Sequence, residues 1–436
     1  MNNRVIAGHY ELVKATLTSY DGLSQPLDGV VSHIYITESI NNDSLRGSVK
    51  ILDKIGILET LPIRGEETLE MTLLDVLGNE RSYVMSVYKV TGVETTTTND
   101  GVSYTLHFIS KSRFIASFRR IIDTYNNSIS DIVEDLYEKY YNINDNEKEL
   151  ILEDTFGIFR CIIPNYTPMQ AMNFLASRAY SLKSPSCSFR FFETYDNYHF
   201  VSDEQLIRKF TDNPDNIKEF AYSDAVDKSG QKDLYGELQN ITGLSNTDRV
   251  NSLSDLLAGA YRSHTIEIDL LRKTVTLPTK DKSRSYNYEE KGYRYQSVSG
   301  EKAKDVSGPH SAEFIKDFYT EEGQKRYIVV KDYDSLSFDR QLKGNQFLPE
   351  IAMNRTAYRH ALNNTALNIS INGRFDINAG DIIRVNIPRF MFAPAQGSNV
   401  NEQLSGNYIV RDLQHSFELD VHTINLKILK YEWDIK

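Results

Sequence analysis

The sequence predicts a mainly β fold with α+β insertions, and three observations predict it. Residues 8–110 read as one short strand after another, punctuated by glycine turns at Gly65, Gly78 and Gly101. Residues 368–433 show the same antiparallel, strand-rich character. Between them, from about Lys111, helical periodicity interrupts the strands. The composition agrees, because Tyr (27) and Phe (20) are abundant while Trp is single. Aromatics together with many Thr and β-branched residues favour sheet over helix bundle.

In chain order, the stretch from Tyr35 to Glu70 is laid out as strand, turn, strand, short amphipathic bridge and a Pro62-Ile63-Arg64-Gly65-Glu66 corner into another strand. Residues 81–90 and 102–109 flank a turn at Asn99-Asp100-Gly101, where positive φ is tolerated. In the first of these strands Tyr83, Met85 and Val87 share one face and Val84 and Tyr88 the other, so neither face is strongly polar, which suits a strand packed on both sides or one lining an assembly interface. Together these strands predict a compact antiparallel barrel or sandwich. Residues 128–141 place Ile129, Ile132, Val133, Leu136 and Tyr140 at helical spacing behind a Ser128 cap. Thr167, Pro168 and Gln170 open a second helix running to Leu182. Residues 188–201 form a hairpin turning at Asp196-Asn197, which completes a small α+β unit. Beyond 204 the reading is a strand at 217–222, a helix at 246–260, a hairpin at 264–278, an exposed polar loop at 281–308 and a helix at 347–362. Gly380-Asp381 then launches an apolar strand at 382–387, and Asn372-Gly373 allows a bulge or kink; like Gly406, these glycines read as backbone geometry rather than ligand sites. The resulting division is 1–115 for a first barrel, 116–205 for an inserted α+β domain, 206–345 for part of a second barrel with inserted loops and a helix, and 346–436 for the rest of the second barrel.

The formal charge is −11, from 49 basic and 60 acidic residues, with no long basic run. That argues against sequence-independent nucleic-acid binding, which needs a basic surface to neutralise phosphates. Cys161 and Cys187 are too few for a disulfide framework, so free thiols and cytosolic folding are expected. No apolar window reaches the roughly 18 residues of a membrane span, and the N-terminus has no signal-peptide core.

Chemistry-bearing motifs are absent: there is no G-x-S-x-G, H-E-x-x-H, phosphate loop, G-x-G-x-x-G or C-x-x-C. His415 and His422 fall close enough to share a metal if they lie on adjacent strands, while His33, His107 and His264 read as packed or interface residues. The carboxylate clusters Glu66-Glu67, Asp203-Glu204 and Glu289-Glu290 are weighed as glycosidase-like pairs, and neighbours on a strand point to opposite faces. Surface solvation is the better account of all three. The expectation is no enzymatic activity, no catalytic, cofactor or metal residue, and no cofactor.

One resemblance adds to this reading. Glu38 to Glu67, with Asp53, Pro62 and Gly65-Glu66 in place, resembles the first barrel of the central baseplate hub protein of contractile-tailed bacteriophages, a family related to the hub part of VgrG spike proteins. The helix from Tyr166-Thr167-Pro168 to Arg178 with SFRFFETYDNYHF is similar to that family's middle domain. GRFDINAGDIIRV and SGNYIVRDLQHSF resemble its second barrel and C-terminal strands. The resemblance implies two tail-tube-like antiparallel β-barrels per subunit, forming a pseudo-sixfold ring as a homotrimer. Such a ring joins a sixfold tail tube, or tube-initiator protein, above to a threefold cell-puncturing spike below, and continues the channel for DNA ejection. Wedge and tape-measure proteins are further partners it implies, with the chain located in the tail baseplate of a virion after assembly in the host cytoplasm. The chain ends at Trp433-Asp434-Ile435-Lys436 without a needle, so a separate spike protein is expected. The alternatives are the hub of a phage-derived contractile injection system, a tail-associated cell-wall hydrolase and a receptor-binding adhesin. An acidic lumen is expected to let DNA pass without sticking, since three copies carry three times −11, or −33.

Overall fold

Alternating apolar and polar residues turn the first hundred residues into a curled antiparallel sheet. The computed structural model describes residues 7–61, 63–95, 101–142, 148–183, 187–211, 213–222, 234–248, 251–259, 262–270, 272–276, 285–287, 325–330, 348–363, 365–389, 401 and 404–431. Strands β1 (Tyr10–Thr18), β2 (Ser24–Pro26), β3 (Val31–Ser39), β4 (Arg46–Asp53), β5 (Thr68–Asp75), β6 (Glu80–Thr95) and β7 (Val102–Ser110) pair in the order β2-β1-β5-β6-β7-β4-β3. Their inward residues, among them Leu17, Ile36, Val49, Leu69, Met85 and Leu106, meet in one core. Each such side chain contributes roughly 1.5–3 kcal/mol on burial. The corners are held by buried carboxylates. Asp53 accepts the N–H groups of Ile55, Gly56 and Leu58 at 3.1, 2.8 and 3.0 Å, which starts the one-turn helix α1 (Ile57–Thr60). Glu67 accepts those of Arg64, Gly65 and Glu66 at 2.6, 2.9 and 3.1 Å.

The middle unit comprises α2 (Lys111–Ser117), β8 (Ile121–Asn127), α3 (Ile129–Tyr140), β9 (Leu150–Leu152), β10 (Phe159–Tyr166), α4 (Pro168–Ala176), β11 (Phe189–Glu193), β12 (Tyr198–Ser202) and α5 (Asp203–Thr211). Ser128 caps α3 by accepting from Asp131 N at 3.1 Å. Thr167 and Gln170 form the expected reciprocal capping box on α4, with bonds of 3.3 and 3.0 Å. That helix stops at Ala176 rather than Leu182. Ser177 Oγ and Arg178 Nη1 both donate to the Phe174 carbonyl, at 2.6 and 3.3 Å, and occupy an acceptor at the helix end. The β11–β12 hairpin is as expected, but β9 joins it in parallel, a long-range pairing that local pattern does not reveal.

The last third holds β13 (Lys218–Ala221), α6 (Leu234–Leu238), β14 (Ile241–Asp248), α7 (Ser252–Ala258), β15 (Arg262–Asp269), β16 (Thr274–Thr276), β17 (Ser285–Asn287), β18 (Lys325–Val330), α8 (Leu348–Asn363), β19 (Ala366–Asn372), β20 (Ile382–Asn386), β21 (Gly406–Glu418) and β22 (Val421–Lys430). The helix expected over 246–260 is shorter, because Asn246 and Asp248 continue β14 and pair with Leu367 and Ala366. The β15–β16 hairpin is present. Within the expected loop 281–308, residues 285–287 form a strand on β15; the remainder, with Glu289-Glu290, lies outside the described residues, as do Asn99 and Asp100.

One ladder joins both ends of the chain, in the order β14-β19-β22-β21-β3-β4-β7-β6-β5-β1-β2. The long strand β21 makes this possible. Its first residues pair with β20, which carries β13 in parallel, and its last seven, Asp412 to Glu418, pair with β3. The expectation of two barrels is met only in its β character. Among the described residues the ladder is open and shared, because a strand spanning both halves hydrogen-bonds across the division instead of closing either half on itself. Two cores line its inner side, one from β1 and β3–β7 with Phe375 and Phe417, the other from β19, β20, β21 and β22 with Phe220 and Ile241.

Candidate functional site

Register brings the polar, mostly half-buried face of this ladder into rows that cross from one end of the chain to the other. One row runs Lys89, His107, Ser48, Tyr35, Ser416, Thr423, Asn372, over seven strands from β6 to β19. The next runs Ile109, Arg46, Thr37, Gln414, Asn425, Ser370, Gly243. Because side chains alternate along a strand, the neighbours Ile36, Val49, Leu106, Leu413, Ile424 and Ile371 point into the cores. The face therefore carries hydroxyl, amide and small side chains, with Lys89, His107, Arg46 and Ile109 among them, and several of these groups bond each other. Tyr35 Oη donates to Glu418 Oε1 at 2.6 Å, Ser370 Oγ donates to Asn425 Oδ1 at 2.7 Å, and Thr91 Oγ1 lies 2.7 Å from His107 Nε2. The Tyr35 hydrogen bond holds the Glu418 carboxyl below its ordinary range.

Its charge is mixed. Arg46 and Lys89 on these rows, and Lys50 and Lys427 on the flanking ones, stand against Glu418 and Asp412 on the flanking rows, so the expected acidity is not concentrated here. The side chains of these rows are spread along the strands and, among the described residues, do not converge on a point. It is a broad polar surface of mixed charge.

The seam that keeps the two ends in one sheet is a buried polar knot. Arg81 of β6 lies 3.7 Å from Glu38 of β3, with both side chains buried. Arg81 also donates to Asn378 Oδ1 at 2.8 Å and to the Phe375 carbonyl, and its guanidinium stacks 4.4 Å from the Tyr195 ring centre. Glu38 accepts from Tyr195 N and Ala379 N, each at 3.1 Å, and Asp75 accepts from Phe375 N at 3.0 Å. One carboxylate–guanidinium pair thus ties the first sheet, the β11–β12 turn and the loop 373–381 together. Burial raises the Glu38 carboxyl, and Arg81 with the two backbone donors works against that rise.

His415 and His422 do meet in this knot, on the paired strands β21 and β22. Their rings face each other directly. His415 Nδ1 lies 2.9 Å from His422 Nε2, and both rings are fully buried against Phe375 and Phe417. Arg81 Nη1, a donor, faces His415 Nε2 at 3.5 Å, so His415 carries its proton on Nδ1 and donates it to His422. Burial, then His422 and Arg81, depress His415 far below the ordinary histidine value; burial and Arg81 bring His422 to about 3. Among the described residues no three His, Cys, Asp or Glu side chains form a group able to hold a metal ion.

The remaining candidates are dispersed. Glu66 and Glu67 sit in a corner before β5, not on a strand; Glu66 is exposed and Glu67 is buried in backbone bonds. Asp203 is buried against Arg190, and Glu204 faces Arg208 at 4.0 Å. His107 lies on the first row, His33 on a flanking one opposite Glu418, both half-buried, and His264 lies in β15. Gly380, at φ 90°, launches β20 as expected. Gly373 serves close approach rather than a bulge, because a Cβ there would overlap the His422 ring. Cys161 and Cys187 are buried free thiols, and burial pushes the Cys161 thiol up to about 11. No described helix is long and apolar enough to cross a membrane. The sequence shows the alternation that makes the rows, but not the β3–β21 register that aligns them.

No protein-family model and no curated protein matches this chain. Among solved structures, the tail protein from Neisseria meningitidis MC58 is similar with a TM-score of 0.56 and 9% identity, over 97% of each chain. The 43 kDa tail protein of prophage MuSo2 from Shewanella oneidensis has a TM-score of 0.49 at 9% identity, covering 95% of this chain and 97% of that one. An E. coli component of the type VI secretion system, described as structurally similar to the T4 bacteriophage tail proteins gp27 and gp5, has a TM-score of 0.45 at 10% identity, covering 97% of this chain and 77% of that one. The chain has the fold of the Neisseria tail protein, and the sequence resemblance to tail hubs is met at the level of fold.

Proposed function

We propose that this chain is a non-enzymatic structural subunit of a tail baseplate, a hub in which three copies form a ring around a channel. The observation that carries the reading is the continuous polar face of the shared ladder, reaching from β6 through the β3–β21 pairing to β19. A subunit that presents two sheet halves as one surface contributes two similar segments to a ring, which suits a threefold assembly that must match a sixfold tube. The surface suits a channel wall. Hydroxyls and amides already bonded to one another give a translocating polymer few places to adhere. The tail-protein fold supports the same role. The spike below and the tube above are the partners this role requires, with the virion tail as its location.

The test is the mass of the purified protein by light scattering, alone and with a co-expressed spike protein, followed by electron microscopy of the particles. A particle near 150 kDa, about three times the 50.0 kDa chain, or an equimolar complex with the spike, is expected, with a central opening in projection. A monomer indifferent to the spike refutes the ring.

A further inference from the structure

The β8–β10 ribbon leaves one face of the middle unit uncovered. Among the described residues its two strands pair only with each other. Their inward residues, such as Ile121 and Ile163, are buried in the core that α3 and α4 also line. Alternation turns Ile122 and Ile162 the other way, and they are 76% and 65% exposed. The register sets Pro164 opposite Ile122 and Thr124 opposite Ile162, so no charged side chain stands between the two isoleucines. Arg160, two residues before Ile162, shares their side, and Arg119 and Arg120 lead into β8. All three arginines are exposed and make no ion pair among the described residues. An apolar centre with a cationic rim is the make-up of a contact surface.

The complementary surface is on the same unit. Helix α3 turns Ile132, Val133 and Leu136 into the shared core and leaves Asp131, Glu134 and Glu138 exposed, one stripe at helical spacing. Asp135 is already taken by Lys139 at 2.7 Å, whereas the three carboxylates of the stripe have no cation among the described residues. Glu138 accepts from the neutral Asn142 amide at 2.7 Å. No ion pair joins ribbon and stripe within the chain. Two different surfaces that fit each other across copies make a heterologous contact, and successive contacts of that kind close into a ring. We propose that the β8–β10 ribbon of one copy docks on the α3 stripe of the next. Arg119, Arg120 and Arg160 are then set against Asp131, Glu134 and Glu138, and the methylene stems of the glutamates cover the isoleucines. This deepens the ring reading above and rests on it, naming surfaces other than the shared ladder that hold neighbouring copies together.

The experiment follows the mass of the full chain by light scattering over a series of protein concentrations, alone and with the co-expressed spike protein. Arg119→Glu with Arg120→Glu and Arg160→Glu reverses the ribbon rim, and Glu134→Lys with Glu138→Lys reverses the stripe. Each set is expected to raise the concentration needed for assembly by about tenfold or more, because like charges then face each other. The chain carrying both sets is expected to assemble like the wild type, since opposite charges meet again. All five side chains are exposed, so unchanged circular dichroism is expected; Ile122→Ser with Ile162→Ser, expected to lose assembly too, decides the matter if a reversal disturbs the fold. A ribbon variant that assembles at the wild-type concentration overturns this contact and leaves the ring standing. Loss in only one of the two reversals, or no recovery in the combined chain, overturns the pairing of ribbon with α3. A wild-type chain that stays monomeric, alone and with the spike, overturns the ring and this contact with it.

Discussion

The buried histidine pair makes stability depend on pH in a defined direction. His422 titrates near 3 in the folded chain and His415 well below its ordinary value, whereas both bind protons near 6.5 once unfolded. The unfolded state therefore holds more protons throughout that window. Stability is fully present above about pH 6.5 and falls as pH drops toward 3, by on the order of a few kcal/mol. Replacing the pair, as in His415→Phe with His422→Leu, is expected to flatten the urea midpoint between pH 6.5 and 4. An unchanged slope sinks this assignment. At the neighbouring position, Gly373→Ala forces a methyl into the His422 ring, and a loss of about 1–3 kcal/mol is expected by denaturant unfolding. A neutral outcome shows that the ring has somewhere to move.

Single strands and helices respond according to what they bury. Val385 of β20 is fully buried between β13 and β21, so Val385→Glu places a carboxylate in a dry core. Its cost of several kcal/mol is comparable to the stability of a whole domain. Insoluble protein, or loss of the sharp unfolding transition in circular dichroism, is expected; a normally folded variant shows that the strand lies elsewhere. At α4 the effect is local. Thr167→Ala removes one half of the capping box and is expected to cost about 1 kcal/mol, with faster amide exchange in the first turn and little change elsewhere. Both elements were legible in the sequence because their signals are local: an apolar run behind Gly380-Asp381 and a Thr-Pro-x-Gln start. The end of α4 was not legible, because it depends on Ser177 and Arg178 folding back on the Phe174 carbonyl.

For the molecule as a whole, the Arg81–Glu38 pair is the tie between the first sheet and the loops of the last third. Arg81→Met leaves Glu38 buried without its partner, and a loss of about 3–5 kcal/mol is expected. If the continuous face is the working surface, this variant also loses the ring of about 150 kDa, whereas Ser370→Ala on the polar face keeps it. Light scattering on both proteins separates these outcomes. A ring that survives Arg81→Met removes the seam from any role in assembly.

By itself the sequence determined the β class, the two strand-rich ends and the capped helices between them, because each depends on residues within a few positions of one another. Only the tertiary structure decided that both ends share one ladder. Residues 33–39 and 412–418 are hundreds of positions apart, and their alternation is equally satisfied by two separate barrels. The choice was made by the length of β21, which exceeds what β20 can pair, and by a buried guanidinium that needs Glu38 from one end of the chain and Asn378 from the other. Both are contacts between distant segments, which periodicity within a segment cannot encode.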